Sequence, residues 1–373
     1  MVIPDCKKFT GYKPCEPYKV CQNCQNLFPG GTRILIVNLG AMGAVLMTTT
    51  ILPALKRKYP ESTISWLTEE RCLPLLANSP FIDYVLPFNF RSILKLQAME
   101  FDLVCNADKI PEVCGLVESL KSKDKLGFGL NANGAIIPLN KGSEYNYWLG
   151  LDDELKFKIN TRTVPDMLRE MFELDRQIDP YIVNLSREEE QFSKEFKIQH
   201  RLISPIVGIN TGSSPAFPHK RFSDEDILSM VEKLYAIQER RSVLLLGGLE
   251  DVDRNKMLVK KLGTKVINTP ADEGLRRGLA YVNVCDLVIT GDSLGMHMAI
   301  GLGKYVIARF NITCSNEIEL YNRGEKIVSD SACSPCWRQS CDDLRCLHEP
   351  YVEKIYEAVE RTLAQWKVSV HSV

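Results

Sequence analysis

The residues best suited to grip an anion fall in one stretch, Val288-Ile289-Thr290-Gly291-Asp292-Ser293-Leu294-Gly295-Met296-His297. The apolar run from Leu287 to Thr290 predicts a buried parallel strand, and a helical pattern starts near Met296. Between them lies a glycine-bracketed turn carrying an acid, Asp292, and a hydroxyl, Ser293. In an open α/β sheet, ligands bind at the carboxyl ends of the strands. The first turn of the following helix presents unpaired N–H groups and a positive dipole end, which suits a phosphate. Those groups lie around Ser293 and Leu294, and His297 sits one turn in. The same residues also fit a plain strand-turn-helix with a Gly-Asp turn and a packed histidine.

Two other loops carry compatible chemistry. Pro205 to Asn210 reads as a strand, followed by Thr211-Gly212-Ser213-Ser214-Pro215-Ala216-Phe217-Pro218-His219-Lys220-Arg221-Phe222. Small hydroxyl residues and then a Lys-Arg pair suit a loop that wraps phosphate oxygens. Ser223 then caps a helix with Asp224 and Glu225 in its first turn. The third loop, Gly247-Gly248-Leu249-Glu250-Asp251, follows the strand Ser242 to Leu246. An acid after a glycine pair suits ribose hydroxyls, and it equally suits the cap of a helix over Val252 to Leu262.

Thirteen cysteines are unevenly placed. Cys6, Cys15, Cys21 and Cys24 precede residue 30, and Cys333, Cys336, Cys341 and Cys346 form a CxxCx4Cx4C set. Four thiolates suit tetrahedral zinc or iron in a closed, structural site. Disulfides compete with that reading but are disfavoured in a reducing compartment. The N-terminal set lies in a Cys-, Pro-, Lys- and Gly-rich segment too short to order itself by burial. A metal, or packing against the main body, must hold it.

The elements that position these loops come in two series. The first runs through strands at Arg33–Asn38, Thr63–Leu67, Tyr84–Pro87 and Phe101–Asn106, the last ending at Asp108. A loop, Leu39-Gly40-Ala41-Met42-Gly43-Ala44-Val45, leads to a helix expected over Val45–Lys58, and another helix is expected over 69–79. Residues 120–160 are less regular, and Thr163–Leu174 reads as an amphipathic helix. The second series takes in the strands named above, together with Lys265–Asn268 and Lys304–Phe310, helices at Gly274–Asn283 and Pro350–Trp366, and the loops described first. Strand-helix alternation indicates parallel sheets covered on both faces. The glycines at 40 and 43 do not make GxGxxG, so the dinucleotide fingerprint is absent. A cleft between two such units would hold an activated donor on one side and an acceptor on the other.

The 373 residues are enough for two α/β domains, and 45% hydrophobic with 25% charged residues is ordinary for a soluble protein. A net charge of −1 gives no argument for nucleic acid. No run approaches the ~20 apolar residues of a spanning helix, and the N-terminus lacks a signal-peptide core. A cytoplasmic location is the expectation.

Residues 33–60 and 204–325 resemble glycosyltransferase family 9, the ADP-heptose:lipopolysaccharide heptosyltransferases of GT-B fold. The family's L-G-x-x-G-D loop and T-T-P and P-A-L segments are matched by Leu39-Gly40-Ala41-Met42-Gly43-Ala44, Thr48-Thr49-Thr50 and Pro53-Ala54-Leu55. Its P-G-A-S-x-x-x-K-R-W loop is matched by Thr211-Gly212-Ser213-Ser214 and Lys220-Arg221-Phe222, and its D-T-G-x-x-H-L-A by Asp292-Ser293-Leu294-Gly295-Met296-His297-Met298-Ala299. The resemblance implies two Rossmann-like α/β domains facing a central cleft, with Cys-rich segments at both ends. The expected layout is a Cys-rich segment over 1–30, an acceptor domain over 31–185 and a nucleotide-sugar domain over 200–349. The last of these includes a Cys knuckle at 333–346, and a helix and tail follow at 350–373.

By the same resemblance, Lys220 and the N–H groups near Ser293 and Leu294 meet a donor diphosphate, with Gly43, Thr211, Ser213, Ser214 and Asp292 in the nucleotide-sugar site. His297 stands by the phosphates and Glu250 by the ribose. Transfer is inverting, with no metal at the reaction centre. One departure is Ala44, which stands where the family has its general-base aspartate. Loss of such a base typically costs ~10²–10⁴-fold in rate. Either the base has moved, with Asp108 the first candidate, or the chain is inactivated, or it binds a sugar nucleotide without transferring it. The Cys333–Cys346 set is similar to the cysteine finger of the autotransporter heptosyltransferases, which glycosylate protein and carry iron. The implied partners are a nucleotide-sugar donor and a glycan, lipid-linked or protein acceptor. Peripheral contact with the inner membrane and self-association are compatible with this reading.

Overall fold

A computed structural model describes residues 3–237 and 242–370. Two compact units emerge: Met1–Trp148 with Pro165–Asp179, and Leu149–Val164 with Pro180–Val373.

The first unit is built on a six-stranded sheet of β1 (Thr32–Val37), β2 (Ser62–Thr68), β3 (Tyr84–Pro87), β4 (Glu100–Asn106), β5 (Lys121–Leu130) and β6 (Ile136–Pro138). Their order is β3-β2-β1-β4-β5-β6. All neighbours pair parallel except β5 and β6. Ile34, Leu35, Ile36 and Val37 are all 0% exposed, as a continuous apolar strand covered on both faces requires. The strand order reverses direction between β1 and β4, so the crevice for a ligand lies at their carboxyl ends.

The helix expected over Val45–Lys58 is two helices, Met42–Thr48 and Ile51–Lys58. Pro53 explains the break, because its ring clashes with the carbonyl four residues back, at Thr49, and it offers no N–H. The hydroxyls of Thr49 and Thr50 bond back to the carbonyls of Leu46 (2.6 Å) and Met47 (2.8 Å). The irregular stretch after residue 120 holds β5, β6 and a helix, Lys141–Leu149. The Cys-rich N-terminus packs against the β2–β3 side of the sheet. Lys7 pairs with Asp83 at 2.6 Å, the Tyr84 hydroxyl donates to the Lys7 carbonyl, and Thr63 donates to the Gly30 carbonyl at 2.5 Å.

The second unit repeats the plan with β7 (Val207–Asn210), β8 (Val243–Leu246), β9 (Ile267–Asn268), β10 (Leu287–Gly291), β11 (Tyr305–Phe310) and β12 (Gly324–Val328). The order is β12-β11-β10-β7-β8-β9, and every pairing is parallel. Its reversal falls between β7 and β10. The helix Tyr351–Val370 lays Tyr351, Ile355, Ala358, Val359 and Leu363 into the core, an apolar stripe at helical spacing. A helix at Arg187–Gln199, absent from the sequence reading, starts with a capping box of Ser186 and Glu189.

Between β12 and the last helix the chain makes a cysteine-bearing excursion closed at its neck by Glu349. That carboxylate accepts from the Ser329 hydroxyl (2.5 Å), the Ser331 hydroxyl (2.7 Å) and the N–H groups of Asp330 (3.0 Å) and Ser331 (3.1 Å). Among the described residues no helix is long and apolar enough to cross a membrane.

Candidate functional site

At the β7/β10 reversal the second unit brings together most of the residues singled out in its sequence. Lys220 ends a 3-10 turn, Pro218–Lys220, and its ammonium meets Asp292 Oδ2 at 2.8 Å. This approach depends on Gly291, since a Cβ there would collide with the Lys220 carbonyl. Burial raises the Asp292 carboxyl, but Lys220, and after it His297, outweigh that effect and hold it below the usual carboxylate range. His297 Nε2 lies 3.9 Å from Asp292 Oδ1, and its ring stacks on Tyr181 with centroids 6.0 Å apart. Burial pushes the imidazole down to about 4, so it is neutral at physiological pH, and among the described residues its Nδ1 has no hydrogen-bond partner.

Ser293 occupies the N-cap position of the helix Leu294–Gly301 and accepts from the Asn210 amide at 2.9 Å. Asn210, at the end of β7, also donates to Thr290 (3.1 Å) and to the Gly212 carbonyl (3.0 Å). It therefore ties the two strand ends together. Ser213 is half-buried and Ser214 exposed on the same loop. Thr211 is different: it is fully buried, and its hydroxyl is committed to the Leu246 carbonyl (2.9 Å) and Asn255 (2.7 Å).

The two acids after β8 separate in role. Asp251 turns inward and accepts from the Gly248 N–H at 2.9 Å, with burial raising its pKa. A Cβ on Gly212 would strike this carboxylate. Glu250 is exposed.

In the first unit, Asp108 sits at the β1/β4 reversal and is 6% exposed. Its carboxylate accepts from the Leu39 N–H and, at 3.4 Å, from the Asn38 amide. Burial pushes its pKa up to about 7, against the Leu39 hydrogen bond; Glu69 adds a smaller push upward. Asn106, at the end of β4, holds the turn by accepting from the Asp108 N–H (3.0 Å) and donating to the Phe128 carbonyl (2.7 Å). Gly43 and Ala44 are half-buried in the first turn of the helix Met42–Thr48, a turn without an acidic residue. The sequence reading quoted Asn38, Asn106 and Asn210 only as strand ends. Their shared placement, an asparagine closing a buried apolar strand, was the available signal.

Among the described residues no three His, Cys, Asp or Glu side chains converge as a metal site requires. All thirteen cysteines are free thiols. Cys333, Cys336 and Cys341 nevertheless line one cavity of about 500 Å³ with Asp153, Glu154, Lys158 and Arg338. Cys346 is buried nearby, and burial first, then those three thiols, push it upward.

With this geometry in view, comparison with known proteins is informative. Residues 92–346, more than half of the chain, match glycosyltransferase family 9 (heptosyltransferase). The lipopolysaccharide heptosyltransferase 1 of Campylobacter coli is 23% identical over 323 residues, covering 80% of this chain and 91% of that one. A glycosyl transferase family 9 structure from Veillonella parvula superposes with a TM-score of 0.70 at 19% identity, over 90% of this chain and 98% of that one. The E. coli ADP-heptose lps heptosyltransferase II does so with a TM-score of 0.67 at 17% identity, over 90% and 100%. Both likenesses show the paired α/β fold of the GT-B class. The chain is a sugar-transferring enzyme and belongs to glycosyltransferase family 9, the heptosyltransferases.

Proposed function

We propose that this enzyme moves a heptose from ADP-heptose to a hydroxyl of a glycan, lipid-linked or protein acceptor. The observation that carries the reading is the Lys220–Asp292 pair at 2.8 Å beside the N-terminus of the helix Leu294–Gly301. A lysine, free N–H groups and the Ser213 and Ser214 hydroxyls then serve one diphosphate. The E. coli relative whose fold it shares acts on ADP-heptose by its own description. In the reaction, the acceptor oxygen bonds to the anomeric carbon and the bond from that carbon to the diphosphate breaks. ADP leaves, and the acceptor proton passes to Asp108. A carboxyl near 7 is matched to that task at physiological pH. Exposed Glu250 is the carboxylate available to the ribose, since Asp251 is engaged with Gly248.

A second reading, binding of the sugar nucleotide without transfer, is favoured by Ala44 in the acid-free turn. One assay separates the two. Purified chain is incubated with ADP-heptose, with and without a cell-envelope acceptor fraction, and free ADP is followed. Acceptor-dependent release is the expected result. Tight binding without release refutes transfer, and activity gained on Ala44→Asp would then identify an inactivated enzyme.

A structural zinc or iron on the C-terminal thiols belongs to the proposal on the strength of their spacing and shared cavity. Less than one equivalent of metal per purified chain removes it.

A further inference from the structure

Arg309 is an arginine inside a buried strand, 1% exposed, in the run Tyr305–Phe310. Its guanidinium lies between the rings of Phe222 (4.6 Å) and Tyr351 (5.0 Å). Among the described residues no carboxylate forms an ion pair with it. Its Nη2 donates instead to the backbone carbonyls of Arg221 (2.5 Å) and His219 (3.3 Å), and Asn311 adds a second donor to the His219 carbonyl at 2.8 Å. Those two carbonyls flank Lys220 on either side. Arg254 closes the same loop at its ends, donating to the carbonyls of Thr211 (2.5 Å) and Phe222 (2.6 Å) while pairing with Asp224 at 2.6 Å.

Burying a cation without a carboxylate partner is costly, and an apolar side chain packs a strand more cheaply. Burial lowers the Arg309 pKa, but a guanidinium stays charged in proteins. The charge has an electrostatic use here. Lys220 and Asp292 cancel each other, His297 is neutral, and Arg254 is balanced by Asp224. Arg309 adds a positive charge beneath the loop that, among the described residues, no ion pair neutralises, although the carboxylates of Asp226 and Glu349 offset part of it. It also draws toward itself two carbonyl oxygens that would otherwise repel an anion.

We propose that Arg309 is a positioning residue for the donor diphosphate: it fixes the backbone on both sides of Lys220 and contributes positive charge beneath the site, with Arg254 as the clasp of the loop. This rests on the nucleotide-sugar reading of that site. The test is ADP titration of the full chain by calorimetry at several salt concentrations, for the unaltered protein, Arg309→Met and Arg309→Lys. Arg309→Met is expected to weaken ADP at least about tenfold, the scale of one lost charge-assisted hydrogen bond, and to flatten the salt dependence. Arg309→Lys restores the salt dependence without the full affinity. In turnover, KM for the donor rises while KM for the acceptor stays put. A folded Arg309→Met that binds ADP within twofold of the parent overturns the proposal. Should that variant not fold, Asn311→Ala decides, because it removes a donor from the same carbonyl without leaving a buried charge. Unchanged ADP affinity there overturns the proposal equally. An unaltered protein that does not bind ADP refutes the donor-site reading itself.

Discussion

The two sheets share a plan, with a strand order that reverses at the carboxyl ends of β1 and β4 in one and of β7 and β10 in the other. What occupies the two reversals differs. The first holds one acid, Asp108, surrounded by amides and backbone and pushed up to about 7. The second holds an ion pair, a neutral histidine and a loop held by arginines through its carbonyls. The architecture selects the place and the side chains select the chemistry. An isolated buried carboxyl is suited to exchanging a proton. A balanced cluster next to free N–H groups is suited to receiving an anion.

The sharpest test of this contrast is Asp108→Asn. Turnover should fall by ~10²–10⁴-fold, the usual effect of losing a general base, while ADP affinity is unchanged. In the parent the rate should rise with pH and level off above about 7, because only the ionised carboxylate accepts a proton. The variant should lack that limb. A variant with full turnover would send the search for the base elsewhere.

The next effect belongs to the other reversal. Lys220→Ala leaves Asp292 buried without its cation, and breaking such a pair costs ~3–5 kcal/mol when burial is complete, less at the partial exposure of this one. ADP binding should be lost and the melting temperature lowered. Lys220→Ala combined with Asp292→Asn should recover the stability but not the binding, which calorimetry and thermal melts together would show.

The smallest effect is a pH dependence of stability. His297 takes a proton at about 4 when folded and at 6.5 in its ordinary state. Between those values the unfolded chain binds the proton that the folded chain refuses. Stability is therefore fully present above 6.5 and falls as pH drops toward 4. Asp108 acts with the opposite sign, since its raised pKa removes stability as pH climbs from 3.8 to about 7. Urea melts of His297→Phe should show a shallower loss on the acid side. An unaltered slope would mean that the imidazole titrates normally.

Much of this was legible because buried parallel strands announce themselves as apolar runs. Ile34–Val37 and Leu287–Thr290 read that way and fold that way. The loops after β7 and β10 were visible as glycine, hydroxyl and Lys-Arg patterns. The break at Thr49 was missed because a helical apolar period continues straight across Pro53. The strand β5 begins with the charged run Lys121-Ser122-Lys123-Asp124-Lys125, which has no strand-like alternation and is carried by its pairing to β4. Arg309 was invisible for a related reason. In Tyr-Val-Ile-Ala-Arg-Phe an arginine reads as the strand's wet end, and only the three-dimensional fold reveals the carbonyls it serves. The divergence of Glu250 and Asp251 depends on one turn of 3-10 helix, below what neighbouring residue types convey.

The Glu349 clasp has a consequence for engineering. The cysteine-bearing excursion enters and leaves through one carboxylate, and it is also seated on the body, where Ser334 donates to the Asn311 carbonyl, the Trp337 N–H donates to the Ile312 carbonyl at 2.8 Å and the Trp337 ring meets Phe217 edge-on. Any exchange of its thiols must keep Ser334 and Trp337, because through Asn311 and Phe217 they touch the very loop that carries Lys220.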